Sequence, residues 1–321
     1  MDDKSITGII RIFIALGCLP LHIIMIWLFT TKPDYQKRMS FKIMKMLGVA
    51  DSLHLVAQLA GACMAVFETN VNEIFERVAG AIVNSSWDGM IGMIFVLALN
   101  RVVVVTQVKM AIYREKGIFY TLSAIIWFSY LSVIGLHLTN EGAVEYGVER
   151  NCFHTLKTDL NHFLNRWETY IVLALLALSL CCYIVIVAWL VLNNNVRSKR
   201  IKIERREMRF LAQAMIVFGY MFVLRGMWYF GKRFYMKDVT VADVLVVLSC
   251  LIGGINPLLY LCFISSVRSH FFELFRGKKG GRTSRPVTVA VLQIRQINEN
   301  CKQNIFLPVA KKMPREHSNE T

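Results

Sequence analysis

The stretch Gly254-Ile255-Asn256-Pro257-Leu258-Leu259-Tyr260-Leu261 lies inside an apolar run that extends from about Val239 to Ile264. A proline inside a water-soluble helix removes a hydrogen bond and costs about 3 kcal/mol. Asparagine is also a poor residue for so apolar a run. In a bilayer the combination is tolerable, because the carbonyl that Pro257 frees one turn earlier can be satisfied by a neighbouring helix or a water. The stretch therefore reads as a break in a membrane-spanning helix. It raises the question of what the other spans place around it.

The rest of the chain fits that reading. Of its 321 residues 55% are hydrophobic and 18% charged; soluble domains carry about 25% charged residues. The formal net charge of +15 is concentrated in short segments between apolar blocks. That distribution suits loops at a membrane surface rather than a nucleic-acid groove. The eight cysteines are Cys18, Cys63, Cys152, Cys181, Cys182, Cys250, Cys262 and Cys301. They show no CxxC or Cys/His spacing, so neither a metal site nor a cofactor is expected.

A spanning helix needs about 20 mostly apolar residues. Seven runs qualify: Ile9–Thr30, Ile43–Phe67, Val78–Gln107, Ile118–Leu138, Tyr170–Leu192, Phe210–Phe230 and Val239–Ile264. The fold class expected is an all-α, seven-transmembrane helix bundle. The leader Met1-Asp2-Asp3-Lys4 is not basic and no small-residue cleavage site follows, so the first run is expected to stay as a helix. Lysines and arginines cluster after the first, third and fifth runs and in the tail, among them Lys37, Arg38, Lys109, Arg114, Arg200, Arg205 and Lys278. This bias places the N-terminus outside and the C-terminus in the cytosol. The expected organisation is an extracellular segment 1–8, a bundle 9–276 and a basic cytoplasmic tail 277–321. Within the bundle, Val267–Phe275 reads as a short amphipathic helix on the inner leaflet.

Ionisable residues within spans are costly and point to function. Asp51 and Asn256 each lie about eight residues from the inner end of their runs, roughly 12 Å deep at 1.5 Å per residue. Two polar groups at one depth can share a hydrogen bond, either as packing glue between helices or, with Pro257, as a hydrated hinge that holds two arrangements. Arg101 ends the third run after Asn100, either as an arginine snorkelling to the surface or as one that changes partner at the inner mouth, with Tyr260 and Tyr183 near the inner ends of their helices as candidate partners. Asp88 and Arg225 are opposite charges near mid-membrane. They are expected to pair or to contact a polar ligand, in a cavity lined by Trp87, Tyr220, Trp228, Tyr229 and Phe230.

With "LGVAD" in the second run, "LNR" closing the third, Trp127 in the fourth and "NPLLY" in the seventh, the chain resembles a rhodopsin-like G-protein-coupled receptor. "SFKIMKMLGVADSLHL", "LALNR" and "RREMRFLAQA" are most similar to nematode serpentine chemoreceptors near the Srx and Srt groups. The resemblance covers about Ile9 to Arg276. It implies a small-molecule or peptide ligand among the outer helix halves, and a heterotrimeric G protein that enters the inner cavity. Asp51, Asn256, Pro257, Tyr260 and Tyr183 would form the activation relay. Asn100, Arg101, Arg200 and Arg205 would serve coupling, with the segments Ala111–Gly117 and Val196–Arg209 as coupling surfaces. The implied location is the plasma membrane, with a sensory cilium as one setting.

The departures matter too. Asn100 stands where the family has an acid, which weakens the restraint on Arg101. The fifth and sixth runs lack the family's prolines, Met90 replaces a sodium-binding serine, and Val83 replaces the amine-binding aspartate. The family's disulfide has no cysteine on the third run near Glu76, which leaves Cys63–Cys152 as the candidate bridge. A transporter or channel is the competing reading, but no internal repeat and no second broken helix support it. For a membrane enzyme there is no HExxH and no Ser/His/Asp set; His22, His54, His137 and His162 are scattered.

Overall fold

A computed structural model describes residues 3–69, 72–106, 112–147, 151–196, 205–234 and 239–275. Among them the long helices are α1 (Asp3–Thr31), α3 (Met39–Phe67), α4 (Glu73–Thr106), α5 (Ile112–His137), α6 (Asp159–Val196), α7 (Arg205–Phe234) and α8 (Val239–Phe263). Two shorter helices are α2 (Pro33–Gln36) and α9 (Ser265–Phe275). The seven long helices are each long and apolar enough to cross a membrane. The protein is a seven-transmembrane bundle. The tail 277–321, Arg200 and Lys109 lie outside the described residues.

The apolar runs are too long and too evenly apolar to form the core of a soluble protein. Large side chains such as Phe13 (73% exposed) and Phe128 (76%) project from the bundle. Such a surface would associate in water and is matched by hydrocarbon. Burial is uneven. In α4, 67% of the most apolar window is buried, and in α5 only 17%. α4 is thus the central post of the bundle and α5 its most lipid-facing helix.

The structure corrects the expected boundaries at several ends. α6 begins at Asp159 rather than near Tyr170, so a polar extension carries Asn161, Asn165 and Glu168. α9 starts at Ser265, and its Val267 is fully buried while Phe272 is half exposed, as an amphipathic helix requires. The short α2 starts with Pro33 in its first turn, where the missing N–H has no helical partner to lose. Tyr35 of α2 meets His270 Nδ1 at 2.7 Å through its hydroxyl, which ties α2 to α9. Burial raises the Tyr35 pKa above the usual tyrosine range.

A feature absent from the sequence expectation is a hairpin between α5 and α6. Strands β1 (Val144–Gly147) and β2 (Cys152–Thr155) pair antiparallel, with Tyr146 opposite Phe153 and Gly147 opposite Cys152. Isolated strands of four residues are too short to be stable. Docking on the helices supplies what the strands lack. Gly80 of α4 leaves room for Val144, whose Cγ1 would lie 2.8 Å from a Cβ added there. Glu76 of α4 accepts a hydrogen bond from the Tyr146 backbone N–H. Tyr146 and Phe153 pack on Met64 and Ala65 of α3. Asn151 enters β2 with φ 51°, a left-handed conformation that asparagine tolerates better than most residues.

The expected Cys63–Cys152 bridge is not formed, since Cys63 is a free thiol. The hairpin register explains this. It presents the ring of Phe153, rather than the thiol of Cys152, to α3, where a Cβ on Gly61 would come within 2.7 Å of Phe153 Cε2. Ring packing fastens the hairpin at that point.

Candidate functional site: a cavity under the hairpin and a polar path along α8

At the hairpin end the bundle holds a cavity of about 730 Å³. Its walls include Val83, Asn84 and Trp87 of α4, Asn165, Glu168 and Thr169 of α6, Arg225 and Met227–Tyr229 of α7, and Leu245, Val246 and Ser249 of α8. Cys152–Lys157 of the hairpin segment line it too, as do Arg11 of α1 and Gln58 of α3. Of the residues expected to bind ligand, Trp87, Arg225, Trp228 and Tyr229 line the cavity. Asp88 and Tyr220 are not among its lining residues. The Tyr220 hydroxyl instead donates to the Leu248 carbonyl at 2.8 Å, joining α7 to α8.

Arg225 and Asp88 do not form a direct ion pair. Arg225 Nη2 pairs with Glu168 Oε1, and its guanidinium lies 5.6 Å from the centre of the Trp87 ring. Asp88 Oδ1 is buried without a hydrogen-bond partner. The reason is the length of α6: its polar extension brings a carboxylate to Arg225 from a segment that does not read as membrane-spanning. The pair is partly exposed, at 20% and 10% of the two side chains. Glu168→Gln is therefore expected to destabilise the bundle by about 1 kcal/mol, and Asp88→Asn by less than half of that. Unfolding midpoints of the two purified variants check this; the reverse ranking would restore Asp88 as the main partner.

From the cavity a series of polar contacts follows α8. Trp228 Nε1 donates to Ser249 Oγ at 3.3 Å. His54 Nε2 of α3 donates to the Ser249 carbonyl at 3.1 Å. One turn on, His22 Nε2 of α1 donates to the Gly253 carbonyl at 2.6 Å. Gly253 lies four residues before Pro257, so its carbonyl is the one that proline deprives of a helical N–H. Next, Asn256 Nδ2 donates to Asp51 Oδ2 at 2.7 Å. Asp51, Asn256, His22 and His54 are all buried.

At the end of the bundle away from the hairpin, Arg101 is buried and stacks over Phe210 of α7 at 4.4 Å from the ring centre. Asn100 Oδ1 accepts from Ser40 Oγ of α3 at 2.7 Å. The hydroxyls of Tyr183 and Tyr260 are buried and make no hydrogen bond, to Arg101 or to any other described residue. Tyr183 packs on Phe218, and Tyr260 on Phe29. Arg205 opens α7, where only its backbone is described.

The sequence reading left three of these residues unassigned. Arg11 is a charge inside the first apolar run and is fully buried. The rule that singled out Asp51 applies to it equally. His22 shows its role only beside Pro257, through a contact between distant runs. Glu168 lies outside the apolar run Tyr170–Leu192, on the polar first turns of α6.

Comparison with the curated proteins finds no match. A family model does match, over residues 11–277, and it is that of the serpentine type 7TM GPCR chemoreceptor Srv rather than of the Srx or Srt groups. With seven spanning helices, a cavity at one end and a match across all of them, the chain belongs to the Srv family of serpentine seven-transmembrane chemoreceptors.

Proposed function

We propose that this chemoreceptor binds an extracellular ligand in the cavity under the hairpin and activates a heterotrimeric G protein at the opposite end of the bundle. The N-terminus and the hairpin lie outside the plasma membrane, and the tail lies in the cytosol, in keeping with the distribution of Lys and Arg. The observation that carries the reading is the run of contacts along α8. Ser249 lines the cavity, and its carbonyl, the Gly253 carbonyl and the Asn256 side chain are held in turn by His54, His22 and Asp51. A ligand that moves α8 at the cavity alters the packing around Asp51 and Tyr260. No bond is made or broken; the ligand shifts a population between two arrangements.

In this reading Arg101 changes partner when the G protein enters, and the unpartnered hydroxyls of Tyr183 and Tyr260 are available to it. The test uses cells that express the chain with a promiscuous G protein and a library of volatile and water-soluble compounds. Ligand-evoked signalling is expected in wild type and is expected to fall at least about five-fold in Arg101→Ala at equal surface expression, the loss of one charge-assisted contact. An unchanged response in that variant removes Arg101 from the mechanism. Ligand-driven solute flux without any G protein would replace the receptor reading with a transporter.

A further inference from the structure

Arg11 lies within the first span and is 0% exposed, yet it lines the cavity. A guanidinium carries five N–H donors and is always charged. Only one of its contacts is short: Nη2 donates to Gln58 Oε1 at 2.8 Å. The contact to the Gln58 carbonyl is 3.3 Å, and both contacts to Asn151, at its carbonyl and at Oδ1, are 3.4 Å. Charge-assisted hydrogen bonds form at about 2.7–2.9 Å, so these three are stretched. Nε has no partner at all.

The hydrogen-bond partners of Arg11 are also neutral. Gln58 and Asn151 are amides, and the Tyr146 hydroxyl beside Arg11 donates to Asn151 Oδ1 at 2.6 Å. Burial pushes the Tyr146 pKa up to about 12, against a smaller lowering by Arg11, so this phenol keeps its proton near neutral pH. Asp243 stands behind Asn151, whose Nδ2 donates to it at 3.2 Å. A buried cation whose hydrogen-bond partners are all neutral, with one short contact to Gln58 and a further bond to the Tyr146 hydroxyl, is not fully compensated.

The cavity wall carries a second cation, one that water can reach. Lys157 is exposed on its wall and makes no ion pair or hydrogen bond among the described residues. The third, Arg225, is already paired with Glu168. The apolar part of the lining includes Trp228, Leu245 and Val246.

We propose that the cavity takes a small organic acid with an apolar body. Lys157 attracts the anionic group, and Arg11 receives it in place of its two long contacts to Asn151. The apolar body lies against Trp228, Leu245 and Val246. The arrival of the acid releases Asn151 from Arg11, and with it the link that runs from α1 through the hairpin to Asp243 of α8.

This inference rests on the cavity being the ligand site of the proposed function, and the experiment separates the two. The full chain is placed in nanodiscs of phosphatidylcholine, which has no net charge to compete. The probes are octanoate and 3-phenylpropionate, each beside its own amide and the corresponding primary ammonium compound. Binding is read as the shift of the unfolding midpoint with concentration. Each acid is expected to bind at least about ten-fold more tightly than its amide, and the ammonium compounds more weakly still. Arg11→Gln is expected to bring the acid down to the affinity of the amide, while Arg11→Lys and Lys157→Gln each keep part of the preference. If Arg11→Gln does not fold, the wild-type ranking and Lys157→Gln decide. No shift with either acid, an amide or ammonium that binds as well, or an acid preference that survives Arg11→Gln overturns the proposal. Nucleotide exchange on added G protein is followed in the same samples. Acid-selective binding without exchange upholds this inference and sinks the receptor reading. Exchange driven only by compounds without an acid group does the reverse.

Discussion

Asn256→Leu is expected to destabilise the bundle by about 2–3 kcal/mol, and Asp51→Leu introduced beside it to restore most of that loss. Asn256 Nδ2 is the described hydrogen-bond donor to Asp51, at 2.7 Å, and both side chains are buried. Removing the amide leaves a buried carboxyl group with neither protein partner nor bulk water. The desolvation penalty of such a group is about 1–3 kcal/mol and higher when it is charged. Replacing both partners by apolar groups of similar size removes the group that needed satisfying, which is often neutral or stabilising. The measurement is the unfolding free energy of the single and double variants in mixed micelles. If the double variant is no more stable than Asn256→Leu, the contact is not what holds these two residues in the interior. If the proposed relay operates, the same double variant is expected to fold and still fail to signal, because the relay would have lost its polar groups.

The second expected result concerns His22. His22→Leu is expected to cost about 1–2 kcal/mol in the natural background and under about 0.5 kcal/mol when Pro257 is alanine. The Gly253 carbonyl has one short side-chain partner, His22 Nε2 at 2.6 Å, because residue 257 has no N–H to offer. Alanine at 257 supplies that N–H, closes the helical hydrogen bond and makes the histidine dispensable. A double-mutant cycle read by thermal unfolding gives the coupling directly. Additive losses in the two backgrounds would show that His22 contributes through packing alone.

These two contacts also differ in how far the chain betrays them. Asp51 and Asn256 were legible as a pair because each is conspicuous in an apolar run and the 1.5 Å rise puts both at one depth. His22 was not, since a histidine alone in a run does not reveal which carbonyl it faces. The seven spans were legible from length and composition. Their polar extensions were not, because residues such as Glu168 lie on helical turns outside the apolar run. The hairpin follows no local pattern strong enough to be read; its four-residue strands depend on Gly80, Glu76 and the face of α3. The supposed disulfide went astray for the same reason, as its geometry depended on that unseen register.

The meeting of α1 and α8 also bears on how the chain is made. His22 donates to Gly253, and a Cβ on Gly254 would come within 2.5 Å of Cys18 Sγ, so the first and last spans are fitted to each other. During synthesis α1 and α3 enter the membrane long before residue 239 is added. Until then His22, His54 and Asp51 lack the partners that α8 brings them. The nascent bundle is a sheath with an open seam, and the final span is what closes it. A ribosome that stalls before that span leaves three polar side chains without the partners that α8 supplies.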